Sequence, residues 1–393
     1  LSFASLSVSS VLGRLGLSPA SDAALPPCGP ALSAGAHVWC LAHHGSYFFA
    51  GDGDGAIHVW RHNDVDGSTT YAGKLEAHAG TTYALLSCAD TLVSAGADGL
   101  CSWRLGGDSA SLPQREDRAA GTPEKPVLAL TGGTSDLLFS SGADGRVTRW
   151  SIDANCKLSS TAVTTTEEHV TFYALAMVTG AATGSAPGAA LAVACAASDG
   201  IVRLWSARTL ELLTALHLAS ASQAALAFFS LVAMPTANSG MGGGGGESTR
   251  LLLGGTDNAV RLLDVLPPAA PTAAISAPTP TVPTAVMHGH GAFVSALVAI
   301  SPRHALSADL NGRMIAWDLT NACAIRTWEA HASGVYALAP RATPVDPVGT
   351  ATAAASARVC SAASDGQILE WTLQVDDGGA RAAEAAGGAP LSV

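Results

Sequence analysis

Ser361-Ala362-Ala363-Ser364-Asp365-Gly366-Gln367-Ile368-Leu369-Glu370-Trp371 is the stretch on which the reading of the fold turns. A small, apolar run reaches Asp-Gly, reverses, and returns as an alternating segment that closes on Trp. That is a β-hairpin, because Asp-Gly supplies the positive φ of a tight two-residue turn. The unit recurs as Asp54-Gly55 with Trp60, Asp144-Gly145 with Trp150, and Asp199-Gly200 with Trp205. Asp257-Asn258 with Leu263 and Asn311-Gly312 with Trp317 are weaker copies. In each of these the large residue lies six positions after the turn residue. Asp98-Gly99 with Trp103 is one residue shorter, which predicts a tighter or differently bulged turn. The seven copies lie 44, 46, 55, 58, 54 and 54 residues apart, a period that signals stacked supersecondary units.

Composition sets the outer limits. The 393 residues are 48% hydrophobic, ample for a large core, and only 13% charged. Twenty Lys and Arg against 31 Asp and Glu give a net charge of −11. An acidic chain gains little from phosphate backbones or anionic lipid, so direct nucleic-acid or membrane binding is not expected. The eight Cys form no C-x-x-C pair, and most sit in apolar strand patterns, where reduced thiols act as small hydrophobes. That usage points to an intracellular, reducing compartment, most simply the cytoplasm. Residues 1–21 are Ser-rich and free of acid, which is also compatible with the remnant of an organellar import signal. Leu6, Val8, Val11 and Leu12 in the same segment read equally as a strand, the preferred reading. No apolar run approaches the ~18 residues of a membrane-spanning helix.

Three regions follow along the chain. Residues 1–34 form an N-terminal segment with a candidate closing strand and a Pro-rich connection, and residues 376–393 a flexible tail. Between them, 35–375 hold seven repeats with low-complexity inserts at 106–126, 179–189, 234–249, 267–283 and 340–357. The insert at 234–249 carries five consecutive Gly, a tract that costs too much entropy to order and is expected to be flexible. Each repeat offers three strands, and a fourth extended segment usually precedes the next repeat, as at 71–75, 211–216 and 324–328. A four-stranded antiparallel sheet is too small to stand alone. Stacked around an axis, such sheets bury both faces and lose their exposed edges. The fold class is therefore all-β: a seven-bladed propeller of four-stranded antiparallel blades, its ring closed by a terminal strand. Closure comes from residues 6–12 or from 389–393, with the N-terminal segment preferred.

Over residues 32–375 the chain resembles the WD40-repeat family. His78 in Glu76-Ala77-His78, His290 in Gly289-His290 and His331 in Glu329-Ala330-His331 each precede a first-strand Leu (Leu85, Leu297, Leu338) by seven positions. The Asp-Gly turns and six of the eight Trp complete the likeness. The third and fifth repeats lack the His, and the fifth has Leu263 in place of Trp. His37, four positions before Leu41, does not fit the loop position. The resemblance implies that most of the conspicuous polar residues are scaffold. It predicts buried hydrogen-bond chains of loop His, second-strand Ser, turn Asp and third-strand Trp. The residues assigned to them are His78, Ser94, Asp98 and Trp103; Ser140, Asp144 and Trp150; His169, Asp199 and Trp205; His290, Ser307 and Trp317; and His331, Ser361, Asp365 and Trp371.

Catalytic and metal chemistry finds little support. Gly51-Asp52-Gly53-Asp54-Gly55 lacks the further ligands of a calcium loop, and His43-His44 and His288-Gly289-His290 lack a third ligand. No nucleophile elbow, P-loop or H-E-x-x-H is present. No catalytic residue, cofactor, metal or small-molecule substrate is therefore expected. What remains is surface. Two positions before the first-strand Leu stand Trp39, Tyr83, Tyr173, Ser295 and Tyr336, and the resemblance puts this position at the channel rim of the face bearing the His loops and Asp turns. Aromatics there suit a docking patch for peptide or protein, while strand propensity and local packing account for them equally. The resemblance implies a non-catalytic scaffold or adaptor for other proteins, a subunit of a larger assembly. An alternative is the substrate-recognition subunit of a cullin-type ubiquitin ligase. Trp205-Ser206-Ala207-Arg208 is similar to the W-D-x-R motif of such propellers, with Ser206 replacing the Asp.

Overall fold

The computed structural model describes residues 31–63, 68–106, 112–119, 125–134, 137–164, 169–179, 190–218, 226–235, 249–265, 278–341 and 355–375. Among them are 29 strands and no helix, arranged in seven sheets. The innermost strands are Val38–His44, Thr82–Cys88, Val127–Thr134, Phe172–Thr179, Phe228–Pro235, Val294–Ser301 and Val335–Arg341. They open blades 1 to 7 respectively. Each packs against the next, and the last packs against the first, so the ring is closed around one channel.

Burial along a blade follows from this stacking. The second strand of blade 1, Tyr47–Asp52, is buried at every residue because neighbouring blades cover both of its faces. Its outer strand, Thr69–Glu76, is mostly exposed and polar. The hydrophobic clusters accordingly span the seams between blades rather than lie within single sheets. Leu306 and Trp328 of blade 6 share one with Trp371 of blade 7, and the two indoles lie 5.8 Å apart. Leu204 of blade 4 shares another with Leu251 and Leu253 of blade 5.

Ring closure differs from the expectation. The fourth strand of blade 7 is Leu32–Ser33, which pairs antiparallel with Ile368 and Gln367 of the strand Gln367–Val375. Both segments expected to supply that strand, 6–12 and 389–393, lie outside the described residues. The closing strand instead arises at the end of the stretch read as a Pro-rich connection. It is two residues long, and Pro30 just upstream has no amide to donate to a ladder. The amide of Ala34 adds a bond to the Gly366 carbonyl at 3.0 Å.

Two of the inserts also contain ordered structure. The stretch 106–126 includes the outer strand of blade 2, Gln114–Arg118. The stretch 267–283 includes Thr279–Thr281, which pairs in parallel with the outer strand of blade 4, Leu212–Leu218, and makes that blade five-stranded. The five consecutive Gly of 242–246 lie outside the described residues.

The hairpin turns differ in detail from a two-residue reversal. In blade 3 regular pairing stops at Ser141 opposite Val147, and the Gly145 amide bonds the Gly142 carbonyl at 3.3 Å. Asp144 therefore sits third in a four-residue turn and Gly145 fourth, with φ +67°. Blade 2 alone makes the two-residue turn, with Gly96 paired to Gly99, as the missing residue before Trp103 required. The Gly at these turns is needed for contact as well as for φ. Gly55 (φ +92°) and Gly312 (φ +89°) present carbonyls to the amides of His78 and His331 at 2.8 and 3.1 Å.

Candidate functional site

Two sets of residues compete for a functional reading, and geometry separates them. The first is the polar set of the repeats. In blade 2 the buried His78 joins Asp98 through Nδ1 (2.6 Å) and Ser94 Oγ through Nε2 (2.9 Å), and Trp103 Nε1 donates to the same Ser94 Oγ at 3.0 Å. Blade 6 repeats the chain with His290, Ser307 and Trp317. Blade 7 repeats it with His331, Ser361 and Trp371, where His331 Nδ1 stands 3.5 Å from Asp365. Each Ser hydroxyl is thus the hub between a loop and a third strand, fixing blade shape through a satisfied network.

The other blades depart from the expected pattern. His169 is exposed, with φ +66°, and does not reach Asp199. Arg203 takes its place, donating Nη2 to Asp199 Oδ2 at 2.7 Å while its guanidinium lies 5.6 Å over Phe172. Blade 5 uses Arg261 on Asp257 and over Phe228 in the same way. In blade 1 His58 holds Asp52 (Nε2 to Oδ2, 2.9 Å), and in blade 6 the carboxylate on His290 is Asp309, 3.0 Å away. In both, the buried carboxylate lies two residues before the Asp54 or Asn311 of the turn. It accepts amides from within that turn, Ala56 at 2.7 Å in blade 1 and Asn311 at 2.9 Å in blade 6. Blade 3 keeps only the Ser140–Trp150 bond (2.8 Å), and Asp144 accepts the Arg146 amide at 3.2 Å.

A rule emerges that sequence reading missed. Where the loop His is absent or turned out, the residue four after the turn Asp is His58, Arg203 or Arg261. Where the loop His is present that position is apolar or Ser, and blade 3 has Thr148 and no loop His. The signal was available as an i+4 pattern across repeats.

Titration behaviour follows from these partners. Burial holds the His78 and His331 imidazoles below their ordinary range, against the opposing pull of Asp98 and Asp365. Burial acts to raise the Asp98 and Asp309 carboxyls, but the hydrogen bonds they accept, from Ala79 and His78 and from His290, outweigh it and hold both low. Asp52 is likewise held low, mainly by His58 and the Ala56 amide against burial. Asp144 is pushed up, because desolvation exceeds what backbone amides and the charges of Arg146 and Lys125 return. Burial also raises the thiols, Cys101 to about 11. None of these groups opens onto a cavity, and no cluster of three His, Cys, Asp or Glu among the described residues could hold a metal.

The second set surrounds the channel mouth. Trp39, Tyr83, Tyr173, Ser295 and Tyr336 all line one cavity of about 270 Å³, joined by Leu128, Phe229 and Leu310. Leu128 and Phe229 occupy in blades 3 and 5 the same position, two before Leu130 and Leu231, that sequence reading tabulated for the other five blades. The rings form two groups. Trp39 packs on Tyr336 (4.4 Å between centroids) and Tyr83 (5.7 Å), and Tyr173 packs on Phe229 (4.8 Å). Phe293, 42% exposed, extends the second group outward at 6.1 Å from Phe229. The collar residues are half-buried, with one face against the blade and one toward the opening. Arg208 of the Trp205-Ser206-Ala207-Arg208 stretch is exposed, and its carbonyl accepts the Arg149 guanidinium.

Comparison with known proteins bears on this architecture. The family model described as WD domain, G-beta repeat, matches residues 29–61, the first blade and its approach. Seven blades of that repeat close the ring. The chain is a WD40-repeat propeller. No curated protein matches it. Among solved structures, this WD40 chain is similar to Saccharomyces cerevisiae Sqt1, at 14% identity and TM-score 0.62, covering 88% of this chain and 98% of that one. It is also similar to the computationally designed Ika8 protein, at 19% identity and TM-score 0.54, covering 87% and 98%. At these identities the likeness shows the fold alone.

Proposed function

We propose that this chain is a non-catalytic scaffold that docks protein partners on the collar face, as a subunit of a larger assembly. The observation that carries the reading is the collar: five aromatic rings from five blades, half-buried around one opening of about 270 Å³. Such rings offer large, stiff contact area at small entropic cost, as docking surfaces favour. The absence of a catalytic role is supported by the use of the His, Asp and Ser sets inside blades, where they fix register and face no cavity. The seven described cysteines are all thiols, six of them buried, which fits a reducing compartment.

The test is affinity capture from native extract, followed by titration of each captured protein. The variant Tyr83→Ala with Tyr336→Ala is expected to weaken the principal partner by about 10-fold or more while the melting transition is retained. Unchanged affinity for every partner removes the collar from the account. Arg208→Ala serves as a second arm: loss of a cullin adaptor on that variant alone would favour the ligase reading.

A further inference from the structure

We infer that the collar cavity receives a cationic side chain, an arginine or a methylated lysine, projecting from the docked partner. This rests on the docking reading above and names what the pocket itself selects. Its walls are the rings of Trp39, Tyr83, Tyr173, Phe229 and Tyr336 with two leucines, and no charged residue lines it. Aromatic faces carry the negative end of the ring quadrupole, so rings converging on a small opening attract a weakly hydrated cation. The one aliphatic hydroxyl in the lining does not compete, since Ser295 Oγ is taken up by the carbonyls of Val335 and Ala308.

The surrounding charge points the same way. The exposed Asp54 follows Gly53, whose Cβ position would lie 3.4 Å from the Trp39 indole nitrogen, so this carboxylate stands beside the collar. Six blades pair a turn or strand-end carboxylate with an internal imidazole or guanidinium: Asp52, Asp98, Asp199, Asp257, Asp309 and Asp365. Asp144 of blade 3 is held by backbone amides, with no internal cation paired to it. Its neighbour Ala143 occupies the turn position that Leu310 fills in blade 6, where that residue lines the cavity. Two carboxylates on the cavity's face thus remain open to a partner's charge, on a chain of net charge −11.

The experiment uses the whole chain and seven-residue alanine peptides that differ only in the central side chain, with binding read by saturation-transfer NMR and titration to millimolar concentration. Arginine and trimethyllysine peptides are expected to bind at least 10-fold more tightly than their uncharged isosteres, citrulline and the tert-butyl analogue. Trp39→Leu, which keeps apolar volume and removes the π face, should abolish that preference. Equal binding of charged and neutral peptides overturns the inference, as does absence of binding by all four. Either result leaves the capture experiment to judge docking on its own.

Discussion

At the residue scale, the central device is a hydroxyl that serves two donors. Ser361 is fully buried and bonds both His331 and Trp371, whereas Ser140 bonds Trp150 and has no loop His. Ser361→Ala therefore orphans two buried groups and Ser140→Ala one, at about 1–3 kcal/mol for each group left unsatisfied. Chemical denaturation of both variants should show the larger loss for Ser361→Ala; the reverse order would remove the hub from the account. The carboxylates divide by sign. Asp98 is held low by what it accepts, so its ionised form stabilises the fold, and Asp98→Asn should lower the denaturation midpoint at pH 7. Asp144 is pushed up, so its ionised form is disfavoured, and Asp144→Asn should leave that midpoint unchanged or raise it. With acidification, the His78 and His331 contributions, complete above about pH 6.5, fall away as pH drops toward their lowered folded values. The low-held Asp52, Asp98 and Asp309 then lose theirs below about pH 4. A stability profile that rose between pH 6.5 and 5 would contradict this assignment. The Ser–Trp–His chains were legible because they lie at fixed spacings. The Arg substitutions were not, because they depend on which side chain crosses the blade to a shared carboxylate.

At the element scale, turns and edges decide how blades join. Gly312 carries φ +89°, and a Cβ there would meet the His331 carbonyl at 2.1 Å. Gly45, at φ +54°, faces open space. Gly45→Ala should thus cost only the left-handed backbone, about 1–2 kcal/mol, and Gly312→Ala clearly more, because the clash with His331 adds to the strain. Equal losses in calorimetry would show that φ alone governs these turns. Hairpin positions and the shortened turn of blade 2 could be read from spacing. The closing strand could not, since two residues behind a proline-rich run carry no periodic signal, and their pairing with Ile368 and Gln367 is set by ring geometry. The same holds for Thr279–Thr281, whose parallel partner belongs to the preceding blade. Burial by both neighbours explains why middle strands such as Leu137–Gly142 read as continuous apolar or small runs.

At the scale of the whole molecule, seven sheets become stable only by covering one another, and closure places seven equivalent first-strand positions around one opening. The collar is a consequence of that symmetry: Trp39 and Tyr336, 297 positions apart in sequence (336 − 39), touch at 4.4 Å only because blade 7 meets blade 1. The repeat count and five of the collar residues were legible in sequence. The two further members, Leu128 and Phe229, belong to repeats without the loop His, where the register was hardest to see. An experimental density map of the purified chain tests the closed ring most directly. The account predicts seven sheets around one channel, with Val38–His44 flanked by Thr82–Cys88 and Val335–Arg341 and with Leu32–Ser33 paired to the outer edge of blade 7. A map with fewer than seven sheets, a helix through Ala190–Ser206, or a gap between the first and last blades would contradict it.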